Sequence, residues 1–217
     1  MVTLPRVIDR PTKLKLAFAN SRSLVAGLQD RIATLENDNR RLETELAELS
    51  RKEVASSYLA YHDGLTGLPN RRLLMDRFQQ AVANADRHRK QVALLFLDLN
   101  RFKRVNDEFG HSTGDKVLQA VAGRIQAMIR ATDTACRYGG DEFVMMLSDL
   151  ESAAIAIDLA EKIQERLAYP YQVDNAIIAL QSSFGISVYP GDGTAWDTLL
   201  RHADAAMYRS KPSQRST

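Results

Sequence analysis

Three carboxylates in this chain stand where carboxylates do chemistry. Asp98 closes the apolar run VALLFLDL at residues 92–99. A strand would hold it rigidly where a sheet meets solvent, the place where α/β proteins build their sites. Asp141 and Glu142 follow Gly139 and Gly140 in the string RYGGDEF. Two consecutive glycines allow positive φ and let bare backbone approach a ligand, as a phosphate chain requires. If the two segments lie side by side, three acidic groups converge, and like charges so packed disfavour one another until a cation neutralises them. Hard oxygen ligands of this kind select Mg²⁺, which keeps waters and binds substrate phosphates. On the hairpin alone, an acidic solvated turn is the simpler reading.

The elements that must position these groups alternate between strand and helix after Tyr61, an α/β pattern with no internal repeat. The turn-rich string HDGLTGLPNRR marks the boundary, and Asn70 is placed to cap a helix over residues 71–89. The run ending at Asp98 is apolar almost throughout, which predicts a central strand covered on both faces. Helices are expected over 101–109 and 114–130, then a hairpin of strands at 134–137 and 143–147. A helix over 152–167, a strand over 177–188 and a last helix over 195–210 complete the pattern. Cys136, inside a predicted strand, reads as a small buried hydrophobe.

Ahead of this head, residues 18–56 read as one long helix with a heptad period. Phe18, Val25, Ile32, Asn39 and Leu46 occupy a, and Leu28, Leu35, Leu42 and Leu49 occupy d. So narrow a seam buries itself in a second helix more readily than on its own domain. β-Branched a residues with Leu at d favour two parallel strands, and a buried Asn39 pair fixes their register. The chain is thus divided into a leader at 1–17, a dimeric stalk at 18–60 and a head at 61–217.

Composition narrows the classes. The 217 residues are 45% hydrophobic and 26% charged, with 29 basic against 27 acidic side chains, so there is no basic field to drive nucleic-acid binding. One cysteine forms no internal disulfide, and no apolar run approaches the roughly 20 residues of a membrane span, so a cytoplasmic protein is expected.

Three blocks taken together resemble the GGDEF family of diguanylate cyclases: DGLTGLPNRR (63–72), LDLNRFKRVNDEFGHSTGD (97–115) and RYGGDEF (137–143). The resemblance runs over residues 63–215 with every block in order. It implies a palm similar to class III nucleotidyl cyclases, a five-stranded sheet flanked by helices. The activity implied is condensation of two GTP into cyclic di-GMP and two pyrophosphates. It further implies two Mg²⁺ per site, with Mn²⁺ as a substitute, held by Asp98, the Leu99 carbonyl, Asp141 and Glu142. Either Asp141 or Glu142 takes the 3′-hydroxyl proton. Asn106 and Asp115 match the guanine readers, with His111 between them. Gly139, Gly140, Phe102, Lys103, Lys211 and Arg215 match the substrate and phosphate contacts, Phe102 and Lys103 partly through backbone amides at a helix N-terminus. Arg130 and Asp133, with five residues between Asp133 and Gly139, match a product-inhibition motif that would grip cyclic di-GMP.

Two departures stand out. Asn100 replaces an acidic residue, and the usual Gly-Arg-Asn near the end is Gln214-Arg215-Ser216 after Pro212, which weakens the phosphate assignment of Arg215. Because the product contains two guanylates, two heads must face each other, and the stalk would tether them. The other readings are a silent head that only binds cyclic di-GMP, and a coiled-coil adaptor docking a regulatory protein on residues 1–60.

Overall fold

The structure, a computed structural model, describes residues 10–211. Residues 1–9 of the expected leader and Arg215 lie outside it. The chain divides into two units, Met1–Ser57 and Tyr58–Thr217.

Helix α1 spans Arg10–Tyr61, so it begins inside the expected leader rather than at Phe18, and it outlasts Ser56. Pro11 falls in its first turn, where a missing N–H costs no hydrogen bond. Every described apolar residue at a and d is at least half exposed, from Val25 and Leu28 at 52% to Leu46 at 69%.

Asn70 organises the start of the head. Its side-chain oxygen accepts from Arg72 N and Leu73 N, capping α2 (Arg71–His88), while its amide nitrogen donates to Ala60 O at 3.0 Å. The expected cap and helix are both present. Strand β1 (Gln91–Asn100) follows, then α3 (Phe102–Phe109) and α4 (His111–Gln126). Helix α4 starts earlier than Gly114, because the break falls at Gly110, whose φ of 84° only glycine adopts without strain. The hairpin is β2 (Thr134–Gly139) and β3 (Glu142–Leu150), and α5 covers Ala153–Ala168.

The expected strand over 177–188 is in fact two. Strands β4 (Tyr171–Val173) and β5 (Ala176–Ile178) form a small separate hairpin turning at Asp174, which sits at φ 52°. Only β6 (Gln181–Tyr189) joins the main sheet, and α6 (Trp196–Ser210) ends the described elements. The main sheet therefore has four strands rather than five, in the order β2-β3-β1-β6, with every pair antiparallel.

Strand β1 is central and covered on both faces, as its apolar run predicts. Ala93, Leu95, Leu97 and Leu99 pack toward α3, α4 and α5, whereas Val92, Leu94 and Phe96 pack toward α2 and α6. Cys136 is fully buried, and loss of solvent pushes its thiol up to about 12. Helix α6 lies directly against β6 at Gly185, where a Cβ would come within 1.9 Å of Ala203 O and 2.2 Å of Met207 N.

Candidate active site at the Gly139-Gly140 turn

The antiparallel register brings the end of β1 to the beginning of β3. Asp98 pairs directly with Glu142, so both side chains rise from one face of the sheet at neighbouring positions. Asp141 is tied to the same place, its carbonyl accepting from Leu99 N at 3.3 Å. Of the two glycines, only Gly140 uses the left-handed region, at φ 52°; Gly139 remains in β2, and both are exposed.

Burial pushes the Asp141 and Glu142 carboxyls above their ordinary values, and the charge of Asp98 pushes both further. Asp141 and Asp204 add to the effect on Glu142, while the Lys211 ammonium draws both groups back. Lys211, matched by its motif to a phosphate contact, forms an ion pair with Asp98 at 2.9 Å.

The donor chemistry suits a divalent cation: hard oxygens with an excess of negative charge. Even so, no three His, Cys, Asp or Glu side chains among the described residues are gathered as a ready metal cage. Asp98, Asp141 and Glu142 thus share one corner without closing on a common point.

Arg137 frames the turn from below. Its Nε donates to Gly140 O at 2.9 Å, and its Nη1 bridges both oxygens of Asp63 at 3.2 Å. Burial raises the Asp63 carboxyl, yet hydrogen bonds from Thr66 and Arg137 outweigh it and the net shift is downward. Neither Asp63 nor Arg137 stood out as a site residue in the sequence; the signal was Arg137's place three residues ahead of Gly140. A cavity of about 680 Å³ on this side is lined by Asp63, Arg71, Arg72, Arg137, Gly139 and Gly140 but not by Asp98.

The remaining predicted residues fall around this corner. Phe102 and Lys103 begin α3, two positions beyond the end of β1 that carries Asp98 and Asn100; the Phe102 ring is buried and Lys103 is exposed. Asn106 is half-buried against Gly114, where a Cβ would lie 1.9 Å from Asn106 Oδ1, so glycine there makes room for the amide. His111 and Asp115 are exposed in the first turns of α4. Asn100 accepts a hydrogen bond from Ser183 Oγ at 2.9 Å.

Arg130 and Asp133 lie apart from the carboxylate corner and line a cavity of about 330 Å³. Asp133 is only 8% exposed. One of its oxygens accepts from Arg130 N at 3.0 Å and the other from Ser148 N at 3.1 Å, so it closes the turn between α4 and β2.

Comparison with known proteins follows the same outline. The family described as "Diguanylate cyclase, GGDEF domain" matches residues 60–217. The bifunctional diguanylate cyclase/cyclic di-GMP phosphodiesterase MucR of Pseudomonas aeruginosa is 47% identical over 175 residues, 81% of this chain and 25% of MucR. The chain spans less than half of the length of the curated relatives it matches. Among solved structures, the GGDEF domain of TpbB from Pseudomonas aeruginosa superposes with a TM-score of 0.67 at 40% identity, covering 69% of this chain and 88% of that one. The coiled coil and GGDEF domain of DgcB from Caulobacter crescentus, solved in complex with c-di-GMP, gives 0.65 at 30% identity over 87% of this chain and 96% of its own. The family match over residues 60–217, the curated relatives and the solved structures lead to one assignment: the chain belongs to the diguanylate cyclase GGDEF-domain family.

Proposed function

We propose that the head is a diguanylate cyclase that joins two GTP molecules into cyclic di-GMP, releasing two pyrophosphates. The observation that carries this reading is the pairing of Asp98 with Glu142 across two adjacent strands, beside a glycine turn that leaves backbone bare.

Asp98, Asp141, Glu142 and the Leu99 carbonyl would hold Mg²⁺, with Mn²⁺ as a substitute; when bound, the metal supplies the charge neutralisation that phosphoryl transfer needs. Asp141 or Glu142 accepts the proton of the 3′-hydroxyl as its oxygen attacks the α-phosphate of the facing nucleotide. Asp115 accepts from the N1 and N2 donors that distinguish guanine from adenine, and Asn106 pairs with the purine edge. His111 borders the base. Phe102 and Lys103 present amides and an ammonium to the phosphates, and Gly139 with Gly140 lets the chain approach them. Arg215 is assigned a phosphate contact by its motif alone.

One head holds one GTP, so turnover needs two heads facing each other. The exposed a and d seam of α1 supports a parallel homodimer that supplies the second head. A silent cyclic di-GMP-binding head is disfavoured, since it has no use for half-buried carboxylates that repel one another. The test is incubation of the purified chain with Mg²⁺ and either GTP or ATP, with products read by mass spectrometry. Cyclic di-GMP and pyrophosphate from GTP alone are expected; recovery of unchanged GTP overturns the reading.

Arg130 and Asp133 are assigned to feedback by the product, in the cavity they share. Arg130→Ala should keep turnover and lose inhibition by added cyclic di-GMP. Asp133→Ala should do more, because two partly buried backbone amides lose their acceptor, a cost of about 1–2 kcal/mol. Its melting temperature should fall where that of Arg130→Ala does not. Product inhibition that survives Arg130→Ala would show that the assignment is wrong.

A further inference from the structure

Lys211 follows α6 directly and reaches back to the carboxylate corner, its ammonium 2.9 Å from Asp98 Oδ2. The pair is partly withdrawn from water, with side-chain exposures of 34% for Lys211 and 14% for Asp98. Among the described residues no other cation is ion-paired with Asp98, Asp141 or Glu142. Asp98 is therefore held by one ammonium at the end of a flexible stem. An ammonium on a flexible stem has three donors and no acceptor, so it can settle on a carboxylate or on a phosphate equally well.

We propose that Lys211 is a resident counter-cation that competes with divalent metal for Asp98 and leaves it for the triphosphate only when metal and nucleotide arrive together. The inference rests on the reading of this corner as a metal-nucleotide site. Metal arriving alone must displace the ammonium from Asp98, cost it its ion-pair partner, and draw together carboxylates that are not gathered as a cage. Metal arriving on a triphosphate brings fresh anions for Lys211, so the exchange swaps one ion pair for another. The head thereby resists free divalent ions and accepts them with substrate. The same lysine has both positions, a carboxylate before binding and a phosphate after it.

Binding of Mn²⁺ alone, followed by loss of its free-ion electron paramagnetic resonance signal, reads this without any turnover. Lys211→Met should half-saturate at about fivefold less Mn²⁺ than the wild-type chain, the worth of a partly exposed ion pair. Lys211→Arg should behave like wild type, and adding Asp98→Asn to Lys211→Met should erase the gain. With a non-hydrolysable GTP analogue present, the order should reverse, wild type binding Mn²⁺ more tightly than Lys211→Met. If Lys211→Met binds Mn²⁺ alone no more tightly than wild type, the role of Lys211 is overturned. If wild type then still takes up Mn²⁺ with the analogue, the cyclase reading survives that loss; no uptake in either condition overturns both.

Discussion

Replacing Glu142 by alanine lowers cyclic di-GMP formation by about a thousandfold, the expected loss when one group serves both cation binding and proton transfer. The geometry places this effect at a single corner, since Glu142 stands opposite Asp98 in the strand register. Glu142→Gln separates chemistry from folding. Burial raises the Glu142 carboxyl in the folded head, and Asp98, Asp141 and Asp204 raise it further. A carboxyl that holds its proton more tightly when folded stabilises the head below its unfolded value and gives up that contribution as pH rises through the folded one. At pH 7, without divalent ion, the ionised side chain is therefore a burden. Glu142→Gln should be inactive yet melt at a higher temperature than wild type, with the gap closing as pH falls through the raised folded value and gone below the ordinary value of 4.5. Calorimetry across that range checks it; a glutamine variant that melts lower at neutral pH would contradict the charge account.

A stalk with Leu35→Glu and Leu42→Glu should lose turnover by about a hundredfold at sub-micromolar enzyme, because tethering replaces a chance encounter of heads by a high effective concentration. Both residues lie at d positions in the middle of the seam, exposed by 60% and 54% in the single chain. Facing glutamates would repel across a dimer while leaving each helix intact. The signature is kinetic: rate per protomer should be independent of concentration for wild type and should rise with it for the variant. Sedimentation should show the variant as a monomer. Undiminished turnover at sub-micromolar concentration would remove the tether from the mechanism.

Much of this was legible because it is local. The apolar run at 92–99 marks a strand sheltered on both faces, and Asn70 after Pro69 marks a helix start, since capping and patterning act over a few residues. The site's carboxylates were visible for the same reason. What the chain did not disclose is partnership across distance. Nothing in the spacing says that Asp98 would face Glu142 in an antiparallel register or that Lys211 would settle on Asp98. The separate β4-β5 hairpin escaped because its turn at Asp174 is an aspartate, not a glycine, in the left-handed region. Asp133 was read as a ligand group, yet its oxygens also hold two backbone amides, a structural duty that only the folded turn reveals.

The bare backbone at Gly185 bears on timing. A helix resting on main chain, with no room even for a Cβ between them, is closely seated on its strand. The arm that follows α6 thus springs from a closely packed base, and moving its tip from one anion to another asks only for rotation about its own methylene bonds. Such rotations take picoseconds to nanoseconds in exposed groups. On that clock, the swing of the arm would not set the pace at which the corner is loaded.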